Sequence, residues 1–192
     1  MEGYEPESEA LDDALSDFLH ERLHKDEITI SFEAISAGNQ DVYTSSDVRD
    51  LEEDHRNRYN EEDRDELNAY LLFLDGEYEN SSVLGIAYWN TSMAIFQETV
   101  EDISGGIGEP SQDVVERTIT KHEIGHLLGL VDNGTPMQTD HKDEGRGAHC
   151  DDDECLMYYA MTRDFLGDFL LGGSVPEFDE FCIEDLQANG GK

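Results

Sequence analysis

Basic residues are nearly missing from this chain. Lysine and arginine together number 12, only four of them lysines, against 47 aspartates and glutamates, so the 192 residues carry a formal net charge of −35. So acidic a surface repels phosphate backbones and anionic bilayers, which argues against nucleic acid and membrane surfaces as partners. Cysteines are scarce and odd in number, three, which argues against a disulfide framework. No apolar run reaches the length that spans a bilayer. No signal peptide is visible, so the expected location is the cytoplasm for a complete chain, or outside the cell if a leader has been removed. Repeats and low-complexity linkers are lacking as well.

The carboxylates are spread along the whole chain rather than gathered in a tail. Their mutual repulsion destabilises the compact state at low salt, and counterions relieve it. With so few lysines, this composition suggests a protein adapted to high salt. The length fits one domain, 1–192, with a core large enough to be split into two lobes around a cleft.

Hydropathy patterning places the elements. Leu11, Leu15, Phe18, Leu19 and Leu23 mark an amphipathic helix. Ile28, Ile30 and Phe32 alternate as a strand. Ser46 is the expected cap of a helix whose stripe is Val48, Leu51, His55 and Tyr59. Tyr70 to Leu74 reads as a strand closed by the Asp75-Gly76 turn. Val83 to Tyr88 and Ser92 to Phe96 read as two further strands, and Glu177 to Ala188 as a final helix. The loop Gly105-Gly106-Ile107-Gly108 lacks a following Lys-Ser/Thr, so it is not a phosphate cradle. The fold class expected is α+β.

The chemistry concentrates at His122-Glu123-Ile124-Gly125-His126. On a helix, residues four apart share a face, so these two imidazoles can grip one metal ion. The glutamate beside the first can reach a water held by that metal; this is the zinc-hydrolase pattern H-E-x-x-H. A helix is expected there. Ser111 and Asp113 offer cap oxygens, and Asp113 with Glu116 has capping-box spacing. Ile124, Leu127, Leu128 and Val131 follow as an apolar stripe, with the histidines on a neighbouring face beside Val115 and Ile119. Gly129 lets the chain turn. The plain alternative is a helix with two ordinary histidines.

Catalytic zinc needs a third protein ligand. As far as Gly129 the motif resembles the metzincin peptidases, whose pattern is H-E-x-x-H-x-x-G-x-x-H with a methionine turn downstream. At the expected third-ligand position stands Asp132, which is therefore one candidate. A second candidate lies further on. His149-Cys150 through Cys155-Leu156-Met157 has the form H-C-x4-C-x-M, which resembles the archaemetzincins from third histidine to methionine turn. On that alignment His149 is the ligand, Met157 packs beneath the zinc ligands, and Val131 to Ala148 is a loop-like insertion. His141 is a third candidate. The losing residues have structural readings: Asp132 as an acceptor for His126 or the helix end, and Asp140 to Glu144 as a solvated loop or a calcium site. No D-x-[DN]-x-[DN]-G loop supports calcium.

The resemblance carries further expectations. Archaemetzincins hold a second, structural zinc on C-x4-C and a later C-x2-C. Here Cys150 and Cys155 match the first pair, and Cys182 with Asp185 stands at the second, so a Cys3Asp zinc site is expected. The competing arrangement is a Cys150–Cys155 disulfide with Cys182 buried. The order strand, helix, strands, active helix resembles the mixed-sheet upper lobe of a metzincin, about 1–130, with a loop-rich lower lobe, about 131–192, ending in a helix. Ser92 to Phe96 corresponds to the edge strand that binds peptide by strand addition. Tyr159, two residues after Met157, occupies the offset of a tyrosine that stabilises the oxyanion in astacins and serralysins; it equally suits lobe packing.

The function these residues imply is zinc-dependent peptide hydrolysis of a peptide or protein substrate, with Glu123 as general base. The alternatives are a zinc-binding scaffold without activity and an acidic calcium binder. An intact Glu123 speaks against the scaffold. One prediction needs only the charge: the thermal midpoint rises steeply from low to molar potassium chloride. A salt-independent midpoint sinks the repulsion argument.

Overall fold

Leu11, Leu15 and Phe18 are buried on the inner face of α1 (Ser8–Arg22), as their spacing predicts. The architecture comes from a computed structural model that describes residues 8–36, 40–61, 66–159, 170 and 174–192. Among these residues the fold is mixed α+β, with five helices and two small sheets. After α1 come β1 (Val42–Tyr43), α2 (Ser45–His55), β2 (Tyr70–Leu74), β3 (Glu77–Tyr78), β4 (Gly85–Trp89) and β5 (Ser92–Phe96). Then follow α3 (Gln97–Glu101), α4 (Gln112–Leu127) and α5 (Glu180–Ala188).

The larger sheet has the order β2-β5-β4. β2 runs parallel to β5 and β4 antiparallel to it. Every residue of β5 is fully buried, which is why Ser92-Met93-Ala94-Ile95-Phe96 reads as a nearly unbroken apolar run rather than an alternating one. One face of the sheet packs Leu72, Leu74, Ala94 and Phe96 against Val48 of α2. The other sets Ile95 against Val115 and Ile119 of α4. A third cluster joins α1, the end of α4 and the cysteine-bearing loop.

Three expectations need correction. β5 is the central strand, not the edge; the edge beside α4 is β4, because β4 alone pairs with β5 on that side. Residues 28–32 form no strand, since no neighbour supplies a ladder; Ile30 packs against the third core cluster instead, and Phe32 is exposed. The cap of α2 is Thr44 rather than Ser46. Thr44 has Asp47 three residues on, and the two exchange side-chain and backbone bonds as a capping box.

A buried ion pair locks α2 to the sheet. Glu52 is wholly buried, accepting from Arg56 Nη1 at 2.6 Å and from Ser92 Oγ at 2.8 Å, and Tyr88 Oη donates to it as well. Arg56 spends its other donors on Arg58 O, Asn68 O and Thr91 Oγ1, and lies over the Tyr59 ring. Breaking such a pair leaves a charge without its partner in a dry place. Arg56→Ala is expected to cost about 3–5 kcal/mol, and Thr44→Ala about 1 kcal/mol, in denaturant unfolding at high salt. Equal losses for the two would contradict the network's role.

Candidate metal centres

α4 begins where Ser111 accepts the Val114 N–H, and Asp113 then pairs with Arg117 inside the first turn. The helix stops at Leu128, and Gly129 turns the chain with φ +81°. Val131 and Asp132 continue in the left-handed region, φ 54° and 58°, a costly conformation for a β-branched valine. Burial of Leu130 and Val131 in the core holds that strain.

The turn sends Asp132 away from the histidines. Its carboxylate pairs with Lys142 at 3.3 Å, and its side chain is largely exposed. His149 arrives in its place. The ligating atoms of His122, His126 and His149 all lie within 4.8 Å of one another. His122 and His149 stack with centroids 5.2 Å apart, and His126 stands edge-on to both. His122 Nδ1 donates to Leu156 O at 2.7 Å, and His149 Nδ1 donates to Arg146 O at 2.6 Å. Those bonds select the tautomer that leaves Nε2 with its lone pair free, the arrangement that metal-binding histidines require.

Burial pushes the His122 pKa well below its ordinary value, helped by the neighbouring His126 and His149. Burial, then His149, lowers His126 to about 3, and His149 itself is lowered by burial. At neutral pH all three rings are therefore uncharged, as a metal ligand must be. Glu123 lies beside them, and its burial raises its pKa to about 8 against an opposing bond from the Ala87 N–H. A divalent cation nearby reverses that push and favours the carboxylate. The cleft holds about 360 Å³ and is lined by these four side chains, by Gly85, Ile86 and Ala87 of β4, and by Tyr159. Gly85 is a close-approach position: a Cβ there would meet Ile119 Cγ2 at 2.8 Å and Glu123 Oε1 at 3.1 Å. Gly125 is another, since a Cβ would collide with Met157 Sδ, which packs under the helix at this point.

No family model matches this chain, and no curated protein or solved structure matches it either. The site therefore rests on its own geometry.

A second grouping lies one residue away from the first along the chain. The ligating atoms of His141, Cys150, Asp179 and Cys182 also lie within 4.8 Å of one another. The three cysteines are free thiols, all buried. Cys155 Sγ approaches Cys182 Sγ at 3.7 Å and accepts N–H bonds from Met157 and Asp179. Hydrogen bonds from Cys150, then Cys182, bring the Cys155 pKa down to about 4.

Asp185, expected among the thiols, is not in this grouping. One of its oxygens accepts from His141 Nε2 at 2.9 Å and the other from the Gln138 N–H at 2.6 Å. It thereby turns His141 Nδ1 toward Cys150 Sγ, 3.3 Å away, and Cys182 Sγ, 4.0 Å away. Burial alone would lower the His141 pKa, but the bonds to Asp185 and Cys150 raise it. Asp179 caps α5, accepting the Cys182 N–H at 2.7 Å. His141 was a candidate third ligand for the histidine centre and instead lies in the second grouping; no local spacing ties it to Cys182. Asp140, Asp143 and Glu144 enter neither grouping.

Both groupings are able to hold a metal ion. His149→Ala should lose the metal bound at the three histidines, while Asp132→Ala should keep nearly all of it, read by metal analysis after dialysis. The reverse outcome would move the third ligand to Asp132.

Proposed function

We propose that this protein is a zinc-dependent endopeptidase of the metzincin kind, nearest in motif to the archaemetzincins, working in a salt-rich medium. The observation that carries the reading is the convergence of three neutral imidazoles around one point, with a buried carboxylate between two of them. Three nitrogen donors with one side open to a cleft are the donor set of a catalytic rather than a structural zinc. Zinc there supplies Lewis acidity to a peptide carbonyl and lowers the pKa of water toward about 7.

The chain's own groups do the rest. Glu123 takes the water proton and returns it to the leaving amine. The Ala87 N–H, which donates to its carboxylate, holds it in place until then. Tyr159 lines the cleft, within reach of a substrate carbonyl, and serves as oxyanion donor. Among the described residues no strand pairs with the outer edge of β4, which lies along the cleft with its Ala87 N–H on Glu123, and an extended peptide can add there as a further strand. Main-chain bonds to β4 then give affinity, and the scissile bond lies over Glu123. The substrate strand is β4, not Ser92 to Phe96, since β5 is enclosed on both sides.

The second grouping reads as a structural zinc site held by His141, Cys150 and Cys182, with Asp179, whose Oδ2 lies 3.0 Å from Cys150 Sγ, or Cys155, whose Sγ lies 3.7 Å from Cys182 Sγ, as the fourth donor. Its sulfur–sulfur and nitrogen–sulfur separations suit a tetrahedron whose edges run about 3.8 Å for bonds of about 2.3 Å. Asp179 also caps α5 through its other oxygen, and Asp185 is an orienting acceptor for His141.

The test is cleavage of an unstructured protein in molar salt. Glu123→Ala should lower turnover by about 10²–10⁴-fold while leaving metal content unchanged, and a chelator should abolish cleavage by the wild type. Cleavage indifferent to Glu123→Ala would refute the mechanism. Wild-type protein that binds zinc and cleaves nothing at any salt concentration would favour a scaffold.

A further inference from the structure

We propose that the two metal centres are coupled: occupation of the thiol centre organises the three-histidine centre, making His141 and Cys182 positioning residues for the catalytic ion. This rests on the reading that both groupings take a metal.

The third imidazole and the carbonyl that orients His122 each sit next to a thiol along the chain. His149 immediately precedes Cys150. Leu156, whose carbonyl orients His122, immediately follows Cys155, and Met157 comes next. Cys150 and Met157 are themselves bonded, the Cys150 N–H to Met157 O at 2.8 Å, and Cys150 forms bridges with both Lys142 and Tyr158. One short knot of backbone thus bears both centres.

Residues 131–159 contain no helix or ladder beyond isolated bridges. The anchors of the knot to the remaining fold include the Leu156 N–H bond to Glu177 O, the bond between Leu156 O and His122, the Gln138 N–H bond to Asp185, the apolar burial of Leu156 and Met157, and the contacts that converge on the thiols from α5. Cys182 belongs to α5 and His141 to the far end of the loop, so a metal joining them to Cys150 closes three chain segments at one point. An ion that binds only the closed arrangement shifts the population toward it, and the closed arrangement is the one in which His149 and Leu156 O face α4. Neither His141 nor Cys182 belongs to the histidine grouping, so any effect of their loss there passes through the knot.

The experiment is a cobalt(II) titration of the reduced, metal-free full chain in molar salt under nitrogen. Thiolate-to-cobalt charge-transfer bands report the thiol centre, and the weaker visible bands that vanish in His126→Ala report the histidine centre. In the wild type the thiolate bands are expected first. Cys182→Ser and the milder His141→Asn should weaken cobalt binding at the histidine centre by at least tenfold, while His126→Ala leaves the thiolate bands at full strength. Circular dichroism of each variant separates this from global unfolding, and His141→Asn, which removes one donor of four, keeps the comparison open if Cys182→Ser does not fold.

A folded His141→Asn with weakened thiolate bands and wild-type affinity at the histidine centre overturns the coupling. A wild type without thiolate bands overturns it too, but leaves the peptidase reading standing. A wild type with thiolate bands and no histidine bands at any cobalt concentration sinks the peptidase reading together with the coupling.

Discussion

The hydrogen bond from His122 Nδ1 to the Leu156 carbonyl is the contact on which the rest of the site depends. It joins the helix that bears two imidazoles to the loop that bears the third. It also fixes which nitrogen of His122 stays free. Without it the ring could turn about its χ2 axis, and the convergence with His126 and His149 would be one geometry among several. The bond is short, buried and made to main chain, so no single side-chain change on the loop removes the acceptor. The loop must nevertheless be held at the right height, and that task falls on Met157 beneath Gly125, on the burial of Leu156 and on the cysteines flanking both.

Electrostatics divides this molecule sharply. The outside is a field of carboxylates, and the inside keeps ionisable groups only where each has a partner or a task. Glu52 is tied to Arg56, Ser92 and Tyr88, which anchor α2 to β4 and β5. Asp185 is tied to His141 and a backbone N–H. Glu123 differs. It is buried in a cleft wall with one N–H donor, and its pKa is pushed up to about 8 by that burial. A carboxyl held so sparsely is destabilised as an anion until a cation joins it. The three neighbouring imidazoles supply no charge at neutral pH, since their own pKa values are depressed.

Local patterns in the sequence were informative wherever the physics is local. The spacing of His122 and His126, the Ser111 cap, the Gly129 turn and the β2 and β5 boundaries follow from period, capping and turn chemistry, each settled within a few residues. His149 came instead from the resemblance of the nine residues His149 to Met157 to a known zinc-peptidase motif. What failed was long-range. Ser92 to Phe96 and Val83 to Tyr88 are both good strands, and nothing local says which lies in the middle; full burial of β5 on both faces decides it. The alternation at Ile28, Ile30 and Phe32 has the right period but meets no partner strand. Asp185 was expected as a zinc ligand because it stands where the resemblance places a cysteine, yet a histidine 44 residues earlier takes its carboxylate.

The exchange of Asp185 for His141 has a physical logic. Asp179 already brings one carboxylate to this grouping, and a second from Asp185 would crowd more negative charge into a protein that carries −35. A neutral imidazole adds none, and it holds the metal more softly, in keeping with sulfur. Asp185 then acts at one remove. By accepting the Nε2–H it fixes the His141 tautomer and makes Nδ1 more basic, while its own charge is spread over two hydrogen bonds. The same division of labour appears at the histidine centre, where carbonyls of Leu156 and Arg146 hold the far nitrogens and Asp132 is left to Lys142 at the surface. Among the described residues, the first grouping is built on imidazole alone and the second on imidazole, sulfur and a single carboxylate, that of Asp179, in a chain otherwise rich in acidic side chains.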